Sequence, residues 1–293
     1  RRIAQFSSVP CATMLDKSIG YIRLRRFGGD AGESMKAAIQ SLQSKASQDT
    51  VPSPLHSDTA LKGLVLDLRD NSGGELIQAI QIASLFVPDH IFLGSSKGEG
   101  SMMPNQSYYS GSYPQTTESP LTQNTNQQLI DPNKTHIILL TNKQTASASE
   151  FLAGVFQDLD IGVIIGNDKE TLGKGIGQRE LPLPFGRALK LTYHEFYTPT
   201  GRCVSKQRPG HPTESRKVFY TSTGRRINDR RGIQVDVRTK VQQSLLNDLL
   251  SSTGAYYQFA SELYAKNPSV QFEGIDDFDK IYKDFRVFVS REQ

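Results

Sequence analysis

HIILLTNKQTASASEFLAGVFQDLDIGVIIG, residues 136–166, reads as a strand, a helix and a second strand in direct succession. HIILLT (His136–Thr141) and IGVIIG (residues 161–166) are short apolar runs rich in β-branched residues, as strands buried on both faces require. Residues 146–159 between them predict a helix. This alternation of strand and helix points to an α/β sheet, in which functional residues sit in the turns that join strand to helix.

The same alternation continues on both sides. IGYIRLRRF (19–27) alternates apolar and polar residues as a strand does, and residues 31–46 place Met35, Ala38, Ile39 and Leu42 on one helical face. Residues 47–60, with Pro52 and Pro54, predict a loop leading into LKGLVLDLR (61–69), a continuous apolar run typical of a buried strand. A glycine turn and a helix over 75–86 follow, closed by Pro88. Residues 177–197 carry further strand character around a turn at Phe185 and Gly186.

Three stretches break the pattern. Residues 95–128 are rich in Ser, Gln, Asn, Thr, Gly and Pro around Tyr108, Tyr109 and Tyr113, and predict a polar surface insertion. Residues 205–215 read as polar and irregular. Residues 241–293 contain helical patches such as SLLNDLL and FASELYAK and predict a small helical C-terminal extension.

The 293 residues, 37% of them hydrophobic, suffice for a core of one large domain with an appendage. The net charge of +4 comes from scattered Lys and Arg, with one denser stretch, GRRINDRRG (224–232). That stretch lacks interleaved aromatics and any binding motif, so it reads as a solvated surface and not as a nucleic-acid site. Cys11 and Cys203 make neither a disulfide framework nor a metal-ligand spacing, and no metal or organic cofactor is expected. No apolar run approaches the ~20 residues of a membrane span. The chain opens on Arg1, so it reads as a fragment whose preceding part would have held any targeting segment.

Chemistry concentrates in two turns. Ser147 stands in TASASE (145–150) at the predicted start of a helix, and Lys174 lies between Gly173 and Gly175 after the next strand. Ser147 and Glu150 have the SxxE spacing of a helix capping box, and Lys174 alone would be an exposed turn lysine. Together they are what a Ser/Lys acyl-transfer enzyme needs, since the five histidines fit no nucleophile-elbow motif. A serine at a helix N-terminus sits beside backbone N–H groups that can stabilise an oxyanion, Ala148 first among them. Gly73 or Gly74, in the strand-to-helix turn of LDLRDNSGG (66–74), could supply the second donor. The lysine must be neutral to act as base, and the Gln178 amide could orient it.

The ordered set LVLDLRDNSGG, TASASEFLAGVFQD, TLGKGIGQ, LKLTYHEFYTPTGRCV and GIQVDV resembles the carboxyl-terminal processing, or tail-specific, serine peptidases of family S41. The resemblance runs from about residue 19 to residue 237. It implies a ClpP/crotonase-like α/β core over residues 18–240, preceded by a lead (1–17) and a PDZ-like domain upstream of this sequence. It implies Ser147 as nucleophile, Lys174 as base, Gln178 as the lysine's orienting group, and Gly73, Gly74 and Ala148 as the oxyanion region. Glu150, Asp158 and Thr171 match supporting positions. Asp158 lies eleven residues after Ser147, near the same helical face.

Two features depart from the family pattern. GNDKET (166–171) is about two residues longer than the usual turn, a change a loop absorbs cheaply. Leu172 replaces the phenylalanine that precedes GKG. Counting back from Lys174 by the customary separation would select Ser149, whereas the motif selects Ser147. The resemblance implies endoproteolysis near a substrate's C-terminus through an acyl-enzyme, with a protein substrate bearing an apolar tail. It also implies an extracytoplasmic setting, a periplasm or a thylakoid lumen. The rival readings are an inactive peptide- or ligand-binding module on the same scaffold, and a crotonase-type chemistry for which no CoA-phosphate site is evident.

Overall fold

The computed structural model describes residues 7–48, 61–98, 105–111, 128–206, 217–229, 232–240, 244–266 and 275–291. In chain order, Cys11–Asp16 (β1) and Ile19–Arg23 (β2) form a hairpin, followed by the helix Ala31–Gln48 (α1). Gly63–Asp67 (β3) leads to Leu76–Ser84 (α2), Phe92–Gly98 (β4) and Gln106–Tyr109 (β5). His136–Thr141 (β6), Ala148–Asp158 (α3) and Val163–Gly166 (β7) are the strand, helix and strand of the central motif. Ile176–Leu183 (β8) and Arg187–Tyr197 (β9) make a long hairpin, followed by Val218–Tyr220 (β10), Arg226–Asn228 (β11) and Val237–Arg238 (β12). Leu245–Ser252 (α4), Ala255–Lys266 (α5) and Ile275–Arg291 (α6) complete the chain.

The main sheet has the order β1-β2-β3-β6-β7-β12, parallel throughout except for the β1–β2 hairpin. Parallel strands need helical crossovers, which is why apolar strands alternate with helices here. A second sheet, β5-β4-β9-β8, is antiparallel. Helix α3 joins the two. All of its residues are buried, and Phe151 meets Tyr108 of β5 and Phe196 of β9 edge to face at 6.2 and 6.4 Å. Phe156 of the same helix packs on Phe86 at 4.9 Å.

The observed elements depart from expectation in instructive ways. The expected polar insertion starts too early: β4 and β5 lie within or beside it, held by a buried Tyr108 whose hydroxyl bonds Ser96 Oγ at 2.8 Å. Residues 112–127 of that insertion, most of the 47–60 loop and residues 207–216 lie outside the described residues. The lead contributes β1, whose alternation is too short to distinguish from a loop. Helix α3 starts at Ala148 and not at residue 146, because Thr145 spends its hydroxyl on Leu68 O at 2.9 Å and holds the turn open. The three terminal helices are present, with an aromatic cluster of Tyr256, Phe259, Phe285 and Phe288. Among the described residues no helix is long and apolar enough to cross a membrane.

Candidate active site

β3, β6 and β7 run parallel and end at one edge of the sheet, the edge where α/β proteins place their ligands. The turns leaving them are sewn together there. Asn71 is fully buried; its Nδ2 donates to Leu24 O at 2.8 Å and its Oδ1 accepts the Gly73 N–H at 2.9 Å. The Asn71 carbonyl accepts from Ala146 N and from Ser149 Oγ, both at 3.0 Å. Asn142 and Asp70 exchange two further bonds between the first and second turns, at 2.8 and 3.1 Å. Leu172 N donates to Thr145 O at 3.0 Å and so fastens the third.

Ser147 stands at the head of α3 with φ 57° and ψ −120°. An ordinary capping serine has an extended backbone, and a side chain with positive φ is strained at a cost of about 1–3 kcal/mol. The surroundings impose that conformation. Gly73, at φ 97°, approaches so closely that a Cβ there would lie 2.8 Å from the Ser147 Cβ and 2.9 Å from the Ala148 N. Ser147 is partly exposed on the cleft, whereas Ser149 is fully buried with its hydroxyl committed to Asn71 O.

Glu150 connects the serine turn to the lysine turn. It is fully buried, and its Oε2 accepts the N–H of Ser147 at 2.9 Å and of Lys174 at 2.8 Å. Its Oε1 accepts from Thr171 Oγ1 at 2.5 Å and from Gly173 N at 2.6 Å. The Glu150 half of the capping box is therefore present but shared with a second loop. Burial pushes its carboxyl above the usual range, against the pull of the four donors. Thr171 in turn accepts the Ile233 N–H at 2.8 Å, tying in the segment that leads to β12.

A cleft of about 510 Å³ opens over these turns, lined among others by Ser147, Lys174, Gln178, Gly73, Gly74 and Ala148. Of the donors expected for an oxyanion, Gly73 is spent on Asn71, a bond no sequence pattern reveals. Gly74 differs. Phe27 N bonds Gly73 O and Glu75 N bonds Phe27 O, so the bridge is made by the neighbours of Gly74, whose own N–H points to the other side. The Ala148 N–H opens α3 and has no helical carbonyl to meet. Lys174 and Gln178 are exposed on the facing hairpin, and the Gln178 Nε2 donates to Thr192 Oγ1 at 3.3 Å. Among the described residues the Lys174 ammonium makes no hydrogen bond or ion pair, so the expected Gln178–Lys174 contact is not formed.

Asp158 is not brought to the cleft. It sits at the far end of α3, fully buried, in an ion pair of 2.7 Å with Arg202 and in hydrogen bonds with Thr198 and Thr200. The missed residues lie in the first turn. Asp67, a carboxylate inside an apolar run, is buried and accepts from Arg69 Nη2 and Tyr21 OH, both at 2.7 Å. Burial pushes it up, but the bonds from Arg69 and Tyr21 outweigh this and hold it below the usual range. A lone charge in a buried strand was the signal for it. Asn71 had none, since an asparagine before SGG reads as turn chemistry. Among the described residues no cluster of three or more His, Cys, Asp or Glu side chains could hold a metal ion.

The model of peptidase family S41 matches residues 18–212. The chain belongs to that family. It is 29% identical over 202 residues to a carboxyl-terminal-processing protease of Synechocystis, covering 67% of this chain and 39% of the relative. It is 33% identical over 190 residues to a carboxy-terminal-processing protease of Bartonella bacilliformis, covering 65% and 37%. A chloroplastic carboxyl-terminal-processing peptidase of Arabidopsis thaliana is 30% identical, over 66% of this chain and 32% of its own. This S41 chain thus spans under two fifths of the length of those relatives. Among solved structures, a photosystem II D1 C-terminal processing protease superposes with a TM-score of 0.50 at 24% identity, covering 80% of this chain and 46% of that one. A protein of Bacteroides fragilis assigned to the S41 proteases gives 0.55 at 15% identity, covering 87% and 60%. Both share the α/β fold of this chain.

Proposed function

We propose that this chain is the catalytic core of a serine endopeptidase that cuts proteins near their C-terminus through a Ser147/Lys174 dyad. The observation that carries the reading is the strained Ser147 backbone, held by Gly73 and Glu150 over a cleft that Lys174 also lines. Strain of this kind persists only where the surroundings over-determine it, and it collects at reacting groups.

Ser147 Oγ attacks the substrate carbonyl carbon as its proton passes to neutral Lys174 Nζ. The oxyanion that forms is held by the N–H groups of Gly74 and Ala148. Lys174 returns the proton to the leaving amine nitrogen, and the acyl-enzyme is hydrolysed by a water that Lys174 deprotonates in turn. Lys174 is exposed in the open cleft, and catalytic contacts tighten on substrate binding. Gln178, whose Nε2 is used by Thr192, keeps its Oε1 to accept from Lys174. Glu150 and Thr171 position the two turns. Asp158 acts through the scaffold alone.

The substrate is a protein with an apolar C-terminal tail, bound extended along the cleft. The relatives, all named as C-terminal processing proteases, support this, and the chloroplastic one supports an extracytoplasmic or organellar setting. A PDZ-like domain upstream of this sequence would select the tail. The test is cleavage of a peptide with an apolar C-terminus by the protein carrying its upstream part. Ser147→Ala and Lys174→Ala abolish cleavage while Ser149→Ala retains it; full activity in Ser147→Ala refutes the assignment, and no cleavage by any form favours a binding module.

A further inference from the structure

The hairpin of β8 and β9 reaches beyond the sheet it belongs to. β4 pairs with β9 only from His194 to Tyr197, so the rungs from Gln178–Thr192 to Leu183–Arg187 are made by the hairpin alone. A Cβ built on Gly186 in the turn would meet no described atom within 4 Å. A two-stranded ribbon buries little by itself, so its exposed side chains show what it is built to meet.

The tip is apolar all round. Counted from the turn, Leu183 faces Arg187, Pro182 faces Ala188 and Leu181 faces Leu189; the opposite charges of Glu180 and Lys190 come only at the fourth rung. Successive rungs point to opposite faces, so both faces are apolar near the turn. Phe185 closes the tip with 93% of its surface exposed, and Leu183 and Leu189 are 44% and 45% exposed. Phe185 also has φ 63°, a conformation rare for a bulky side chain and one that asparagine or glycine adopts more readily. The turn thus holds an aromatic ring in water on a strained backbone.

That distribution selects the partner. A hairpin that docks on a protein surface covers one face and keeps the other polar for water. An acyl phase surrounds a tip and calls for apolar atoms on both faces. Three rungs extend ~10 Å at ~3.3 Å per residue, which matches the depth to which interfacial segments bury their apolar part. The one charge within that depth, Arg187, has a side chain long enough to reach the headgroups, and the Glu180–Lys190 pair falls at the polar boundary.

We propose that the β8–β9 tip is a membrane-docking element, with Phe185 and Leu183 entering the interfacial layer of a lipid bilayer. Gln178 of the cleft lies two residues from Glu180 on the same strand, ~7 Å by the same rise, so docking holds the cleft at the lipid surface. The proposal stands on the hairpin and not on the peptidase reading above.

The chain contains no tryptophan, so Phe185→Trp puts a single probe at the tip. With vesicles of phosphatidylcholine and phosphatidylglycerol its emission should shift to the blue, as that of an indole leaving water does. Tyr220→Trp is the control: it lies on β10, two residues before Ser222, whose N–H bonds Asp158 O at the far end of α3, and it should not shift. In vesicle sedimentation Phe185→Ser should weaken partitioning about tenfold, the factor that loss of one buried aromatic carries, and Leu183→Ser should weaken it too. No shift in Phe185→Trp, equal shifts of both probes, or unchanged partitioning of Phe185→Ser overturns the proposal. So does a shift that follows protein concentration without vesicles, with Phe185→Ser turning a dimer into a monomer in sedimentation velocity; the tip is then an interface between two copies.

Discussion

One oxygen of Glu150 accepts the backbone N–H of Lys174 at 2.8 Å, and so the lysine turn is positioned from within the serine's own helix. Glu150→Gln replaces an all-accepting carboxylate by an amide whose NH₂ must face N–H donors. The variant should lose about 1–3 kcal/mol of stability, the cost of a buried donor left unpaired. Its kcat/KM should fall at least tenfold, with kcat carrying the loss. Chemical denaturation and peptide cleavage measure the two; unchanged values for both would remove Glu150 from the positioning of the dyad.

Gly73→Ala should be worse than its size suggests. The position has φ 97°, and the added methyl would lie 2.7 Å from Ala146 O and 2.8 Å from the Ser147 Cβ. Backbone strain alone costs about 1–3 kcal/mol, and the serine must move to relieve the clash. Cleavage should fall by more than an order of magnitude while the protein stays folded by circular dichroism. Wild-type turnover in this variant would contradict the close approach.

The carboxylates predict two pH effects of opposite sign. Asp160 is pushed up by burial but pulled further down, to about 2, by bonds from Thr221, Thr223 and Arg225. Folding thus favours its ionised form, so its contribution is present above its unfolded value near 3.9 and is lost as pH falls toward about 2. Asp160→Asn should flatten the acid limb of the stability curve. Glu150 is raised, so folding favours its protonated form; that contribution is present below its unfolded value and lost as pH rises through the folded one. Its protonation removes an acceptor from the Ser147 and Lys174 turns, so activity should fall on acidification above the ordinary carboxylate range. An acid limb of the rate profile with the usual carboxylate midpoint would refute this.

Phe151→Ala tests the junction of the two sheets. Its fully buried ring meets both Tyr108 and Phe196, and its removal should cost about 3–5 kcal/mol. The β5-β4-β9-β8 sheet should lose hydrogen-exchange protection before the parallel sheet does. Uniform loss across both would show that α3 does not couple them.

The strands β3, β6 and β7 and the helix α3 were legible because buried parallel strands leave unbroken apolar runs and α3 is buried all round. β4 and β5 were not, because Gly94, Ser95 and Ser96 pack through backbone and one tyrosine contact and not through an apolar face. At the site, motif order named Ser147, Lys174 and Gly74, which line one cleft. It could not assign Gly73, since the use of its N–H by Asn71 depends on a turn conformation. Nor could spacing along α3 reveal that Asp158 faces Arg202, because the partner arrives from a loop more than forty residues on.

Thr171 bonds Glu150 on one side and Ile233 on the other, its N–H donating to Ile233 O at 3.0 Å. During synthesis, Ser147, Lys174 and Gln178 have all left the ribosome well before residue 233. Until Ile233 docks, the loop that carries Lys174 lacks its outer fastening. The order of translation therefore places this fastening last, after Ser147, Lys174 and Gln178 have all been made.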